Sequence, residues 1–281
     1  MKILVAGAAG YLGSHLIQVL HEKGHEVIGL DLNASSLEKH SHCLSQKLGV
    51  NLTRPEEIKG KLDGIDIVFS AVGLEFPQKD ISYWDIDYQA NLNLLREAEE
   101  AGVKKFMYIS VIHADKPGPL PPILEAKAAL EKQIQASKLE WVIFRPTGYF
   151  KDIVNIFLKG AKAGKVRLVG TGEIKANPLH PSDFSEFIAD NLETVNEIKE
   201  LGGPEIFSYK QLGEIAFEVV NKPPKISYMS VNSFKIFMRI LKIFKPLSYP
   251  LLQFSLWCMT NDMVAPQIGT RSIRDALKEN A

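Results

Sequence analysis

The run Gly7-Ala8-Ala9-Gly10-Tyr11-Leu12-Gly13 narrows the possible folds of this chain more than any other segment. It stands between the apolar run Ile3-Leu4-Val5-Ala6 and a stretch from Tyr11 to Lys23 whose Leu12, Leu16, Val19 and Leu20 share one helical stripe. Between a strand and a helix, each glycine answers a steric need. Gly7 permits a tight turn, Gly10 lets backbone approach a pyrophosphate, and Gly13 allows the helix to pack closely on the strand. The start of the helix then presents unpaired N–H groups and the positive end of its dipole to phosphate. A dinucleotide is therefore expected against Gly7, Ala9, Gly10, Tyr11, Leu12 and Gly13.

A second predicted strand, 26–30, runs into Asp31, eighteen residues past Gly13. A carboxylate there accepts both ribose hydroxyls of NAD and repels a 2′-phosphate. The adjoining Leu32 and Asn33 bring no cation, so NAD(H) is favoured over NADP(H); Lys39 and His40 lie further along. The alternative for Asp31 is a cap on a following helix.

From Lys2 to Arg145, short aliphatic runs alternate with helical patterns, the signature of βαβ units and a parallel sheet. Strands are predicted at 2–6, 26–30, 65–71, 104–110 and 140–145, with a weaker one at 48–52. Helices are predicted at 11–23, 88–101, 122–137, 181–193 and 209–221. The expected architecture is α/β, a Rossmann-type doubly wound parallel sheet with a small C-terminal cap region, in one domain spanning 1–281. Its core comprises 1–150 and the helix at 181–193, and its cap 151–180 and 196–281.

Lys plus Arg and Asp plus Glu balance at 33 each, so no net field invites nucleic acid. Cys43 and Cys258 fit no metal spacing, and a metal site is not expected. Two isolated cysteines suit a reducing compartment. The opening apolar run is too short for a signal h-region and reads as a strand, and no apolar window is long enough to span a bilayer. A cytoplasmic location follows, with peripheral membrane association left open.

Further segments carry a family resemblance. They are Asp66-Ile67-Val68-Phe69-Ser70-Ala71-Val72-Gly73, Asp87-Tyr88-Gln89-Ala90-Asn91, Gly102-Val103-Lys104-Lys105-Phe106-Met107-Tyr108-Ile109-Ser110, Ala126-Lys127, Arg145-Pro146-Thr147-Gly148-Tyr149-Phe150 and Asn177-Pro178-Leu179-His180. With the glycine turn, they make the chain resemble, nearly end to end, the extended-like, atypical, divinyl-reductase-like branch of the short-chain dehydrogenase/reductase superfamily. The resemblance implies that Ser70, Ala71, Val72 and Gly73 pass beside the adenosine ribose and pyrophosphate, and that Asn91 sits mid-helix under the cleft. It also implies that Arg145, Pro146 and Thr147 follow the sixth strand and border the nicotinamide, whose ribose Lys127 binds.

In that superfamily a tyrosine four residues before the lysine donates the proton, with its pKa lowered by the ammonium. Here that position is Ile123, which has no proton to give. The superfamily's Ser/Thr falls on Ser110 or Val111. Substitute donors are His113 and Tyr149, although His113 also reads as a solvated loop residue beside Asp115, and Tyr149 as a packing aromatic. His180 reads as a helix-start contact.

Near the C-terminus, Lys235, Arg239 and Lys242 share a helical face, and Ile236, Phe237, Ile240, Leu241, Ile243 and Phe244 fill most of the remainder. The region 234–259 therefore reads as a lid over a hydrophobic substrate pocket, or as a contact with a membrane interface or a protein partner. Two functions are compatible with these residues. One is an oxidoreductase acting on a hydrophobic small molecule. The other is a non-catalytic dinucleotide-binding assembly or redox-sensing protein.

Overall fold

The aliphatic runs between Lys2 and Arg145 become strands of one seven-stranded sheet, which Glu197–Leu201 completes. In chain order these are β1 (Lys2–Ala6), β2 (Glu26–Asp31), β3 (Gln46–Gly49), β4 (Ile67–Ser70), β5 (Lys105–Ile109), β6 (Glu140–Pro146) and β7 (Glu197–Leu201). Their spatial order is β3-β2-β1-β4-β5-β6-β7. Pairings from β3 through β6 are all parallel, with Leu4 of β1 opposite Ile28 on one side and Val68 on the other. Every residue of β4 and β5 is buried, as helices on both faces of a parallel sheet require. The chain leaves β1 toward β3 and returns to the other side of β1 at β4, creating the switch point at which doubly wound sheets bind ligands.

The computed structural model describes residues 1–281, which cluster into two compact units: 1–145 with 184–199, and 146–183 with 200–281. The first unit contains α1 (Tyr11–Glu22), α2 (Asn91–Glu100) and α3 (Pro122–Ala136). Its core joins Leu4, Val68, Phe106 and Ile143 of the sheet to Leu94, Leu130 and Ile134 of α2 and α3. Later helices are α4 (Pro181–Asp190), α5 (Tyr209–Val219), α6 (Val231–Phe244) and α7 (Tyr249–Cys258). The second unit has its own core of Phe150, Phe157, Leu168, Leu212, Phe217 and Leu277. Ser208 starts α5 with a reciprocal capping box to Gln211. The buried Asn177 side chain binds the backbone of Gly203 and Ala265.

Three elements depart from the sequence expectation, one of them an unpredicted strand: Glu197–Leu201, in the stretch 196–281 assigned to the cap, forms the edge strand β7. The strand expected at 48–52 lies at 46–49, with Val50 and Leu52 buried beyond its end. The helix expected at 88–101 begins earlier, as a π-helical turn over Trp84–Ala90 that runs into α2. Asn91 sits at that junction, where its Nδ2 donates to the carbonyls of Ile86 (2.9 Å) and Asp87 (3.3 Å). Such a side chain bonding into a widened ladder is a recognised accompaniment of π-turns. Cys43 and Cys258 are both free thiols, and no helix is long and apolar enough to cross a membrane.

Candidate functional site

A cleft of about 640 Å³ opens in the first unit where β1, β2 and β4 end. Its walls are the glycine turn (Gly7, Ala9, Gly10), the end of β2 (Leu30, Asp31, Leu32) and the loop after β4 (Ala71, Val72, Gly73). Sequence reasoning missed two further walls, the loop 50–53 after β3 and residues between Gln78 and Ile86. The first is a loop and the second runs into the π-helical turn at Trp84, and neither offers a periodicity to read. The usable signal for the first was its position after a parallel strand, since loops at carboxyl ends line the crevice.

The glycine turn is built around close approach. A Cβ on Gly13 would collide with the carbonyl oxygen of Gly7, so α1 seats on β1 only with glycine there. Helix α1 starts at Gly10 with no side-chain cap and no acidic residue in its first turn, leaving that end available to an anion. Tyr11, Leu12 and Gly13 lie in this first turn, with Leu12 and Gly13 buried. Asp31 accepts N–H bonds from Ala9 at Oδ2 (2.9 Å) and from Leu32 at Oδ1 (2.8 Å), tying the end of β2 to the turn.

Ser70 lies behind the cleft wall and not on it: its buried hydroxyl meets Asn91 Oδ1 at 2.5 Å. Asn91 also donates to the carbonyl of Val72 (3.2 Å), so these two side chains fix the path of the 70–73 segment.

Behind Gly73 lies a buried charged cluster. The Nζ of Lys127 on α3 is 3.1 Å from Asp87 Oδ1, and it donates to the hydroxyl of Tyr108 (3.3 Å) and the carbonyl of Ile109 (3.2 Å). Asp87 accepts the N–H of Leu74 at its other oxygen (3.1 Å). A Cβ on Gly73 would stand 3.0 Å from Asp87 Oδ1 and 3.7 Å from Lys127 Nζ, so glycine leaves the pair just beneath the cleft wall. Burial disfavours the ammonium, but Tyr108 and Asp87 outweigh it and raise the lysine's pKa, keeping it charged. Burial pushes the carboxyl of Asp87 upward against the pull of Lys127. Ile123 is on the same helix, one turn before Lys127.

Ser110, next to Ile109, has a buried hydroxyl with no hydrogen-bond partner in the protein. Tyr83 has the same property. His113 adopts a left-handed backbone (φ 66°) in the loop after β5, and nearby Asp115 has its carboxyl pushed up by burial but held below its usual range by the hydrogen bond and charge of Arg145. Arg145 is buried in β6 and makes a two-pronged ion pair with Glu131 (2.6 and 3.1 Å) and a third contact with Asp115 (2.8 Å). That network occupies its guanidinium.

Pro146, Thr147 and Tyr149 belong to the second unit. Pro146 closes β6, so this residue is strand and not the loop expected after it. Thr147 donates its hydroxyl to the carbonyl of Asn177 (2.6 Å), and Tyr149 immediately precedes the short helix Phe150–Ile153 without a side-chain capping bond. His180 accepts the N–H of Ser182 at the start of α4 and packs edge-on against Phe150.

Residues 7–194 match a protein-family model described as NAD(P)H-binding. The chain is 27% identical over 249 residues to the chloroplastic divinyl chlorophyllide a 8-vinyl-reductase of Arabidopsis thaliana, covering 80% of this chain and 59% of that protein. It is likewise 27% identical over 237 residues to the mitochondrial NADH dehydrogenase [ubiquinone] 1 alpha subcomplex subunit 9 of the same plant, covering 79% of this chain and 58% of that one. The chain thus spans somewhat under two thirds of either relative. In fold it is similar to the triphenylmethane reductase of Citrobacter sp., with a TM-score of 0.81, 18% identity and coverage of 100% of this chain and 99% of that one.

Proposed function

Because this chain belongs to the NAD(P)H-binding atypical short-chain dehydrogenases/reductases, we propose that it is an oxidoreductase that holds NAD(H) in the first unit's cleft and acts on a hydrophobic small molecule. The observation that carries this reading is Asp31 set against the glycine turn, both lining one cleft. Its carboxylate is an acceptor for the adenosine ribose hydroxyls and a repellent for a 2′-phosphate, which favours NAD(H) over NADP(H).

Three features suit a dinucleotide. The uncapped start of α1 faces phosphate, with Gly7, Ala9, Gly10, Tyr11, Leu12 and Gly13 shaping the turn. Leu32, Ala71, Val72 and Gly73 give a wall of backbone and small or apolar side chains, positioned from behind by Ser70. Lys127, kept cationic near Gly73, is a ligand for the nicotinamide ribose.

When bound, the nicotinamide supplies or accepts hydride. The protein's part is to orient it, exclude water and manage one proton. Lys127 stays protonated and so acts by charge and position. The Ser110 hydroxyl, lacking a partner in the protein, is free to bond a polar substrate atom. With isoleucine at 123, the proton comes from water or from His113 or Tyr149. A hydrophobic substrate is supported by the relative named as a vinyl reductase.

The test mixes the protein with NADH and a panel of hydrophobic carbonyl and conjugated alkene compounds while following nicotinamide absorbance. Compound-dependent oxidation that falls in Ser110→Ala supports the reading. Tight NADH binding with no oxidation across the panel favours the second reading, a non-catalytic assembly or redox-sensing protein, for which Ile123 is the supporting observation.

A further inference from the structure

Helix α6 has three faces. Met238 is its buried residue, and the helix packs against α7, with Lys242 over the Tyr249 ring at 4.9 Å. On another side, Ile236, Ile240, Ile243 and Phe244 are 57%, 53%, 78% and 76% exposed. At 100° per residue these four fall within about one third of the helix circumference. Phe237 and, past the helix end, Leu247 extend the same exposed apolar surface. Lys235, Arg239 and Lys242 form a stripe along one edge of it.

Charge distinguishes this surface from an ordinary apolar patch. The whole chain is balanced, yet between Glu218 and Asp262 there is no acidic residue, while Lys222, Lys225, Lys235, Arg239, Lys242 and Lys245 all fall in that interval. A strongly amphipathic helix with an exposed aliphatic and aromatic face edged only by cations matches the interface of an anionic bilayer in both respects. Its side chains enter the acyl boundary and its cations meet lipid phosphate. At 14 residues the helix is too short to span, so it lies along the surface.

We propose that α6 docks the protein on anionic lipid bilayers, with Ile236, Ile240, Ile243 and Phe244 inserted and Lys235, Arg239 and Lys245 at the headgroups. This does not depend on the cofactor or substrate reading. Full-length protein would be co-sedimented with vesicles of phosphatidylcholine alone and of phosphatidylcholine with phosphatidylglycerol, at low and high salt. The expected result is binding to the phosphatidylglycerol vesicles that high salt weakens. Lys235→Gln with Arg239→Gln should lower partitioning about twenty-five-fold, from about fivefold per cation. Ile243→Ser with Phe244→Ser should lower it at least about tenfold, both side chains being solvent-exposed and their loss harmless to folding. Thermal unfolding and circular dichroism of each variant verify an intact protein. The proposal is overturned if phosphatidylglycerol makes no difference, if the variants bind as wild type does, or if light scattering shows a dimer that Phe244→Ser dissociates, making a second copy the occupant.

Discussion

Lys127 and Asp87 form an ion pair 3.1 Å apart that is almost wholly removed from water and lies directly behind Gly73. Lys127 thus has a buried carboxylate as its neighbour and Ile123 one turn earlier on the same helix. Lys127→Ala would leave Asp87 buried without its counter-charge. Denaturant unfolding should report a loss of about 3–5 kcal/mol. The folded fraction should bind NADH roughly ten- to a hundredfold more weakly, as expected for a lost charge-assisted hydrogen bond. Unchanged NADH affinity would remove the ribose role from Lys127.

Gly73→Ala probes the same pair without removing a charge. The added methyl stands 3.0 Å from Asp87 Oδ1, tight enough that the carboxylate or the loop must move. A stability loss of about 1–3 kcal/mol is expected, with weaker NADH binding. Gly13→Ala should be worse, because its methyl meets the backbone carbonyl of Gly7 and nothing flexible can yield. Circular dichroism and NADH titration on both variants give the ranking.

Asp31→Ala should erase the preference between cofactors. It removes the ribose acceptor and the 2′-phosphate repellent together, and it frees the N–H groups of Ala9 and Leu32. NADH affinity should fall roughly tenfold or more while NADPH affinity holds or rises. Fluorescence titration with each nucleotide measures the ratio.

Alkaline pH tests the buried Tyr83. Burial, and then the charge of Asp87, push its phenol from 10 to about 12. Between those values the unfolded chain releases a proton that the native state retains, so stability falls as pH rises through this window. Tyr83→Phe should make the decline in unfolding midpoint shallower from pH 10 to about 12. At neutral pH it should be neutral or stabilising by up to about 1 kcal/mol, since the hydroxyl has no partner to lose.

The β1–α1–β2 unit was legible because the apolar run, the glycines, the helical stripe and Asp31 all point to one geometry. The exposed face of α6 was visible in its period, whereas its exposure was not, since a lid and an interfacial helix share one pattern. Asp87 opens one of the resembling segments, but its burial carried no readable signal. An acid early in a helix normally faces solvent, and only the π-turn and the packing of α3 bring it inward to Lys127. The early start of that helix depends on the side-chain bonds of Asn91, which sequence periodicity does not encode. The loop 50–53 and the segment 78–86, which runs into the π-helical turn, reach the cleft through the topology of the sheet, so they emerge only once the strands are paired.

A nicotinamide dinucleotide seated against the glycine turn and Asp31 is the central proposal for this protein. Isothermal titration of the full chain with NADH and with NADPH tests this most directly. Saturable binding of NADH, tighter than that of NADPH and weakened in Asp31→Ala, is the predicted result; binding of neither nucleotide would contradict the account.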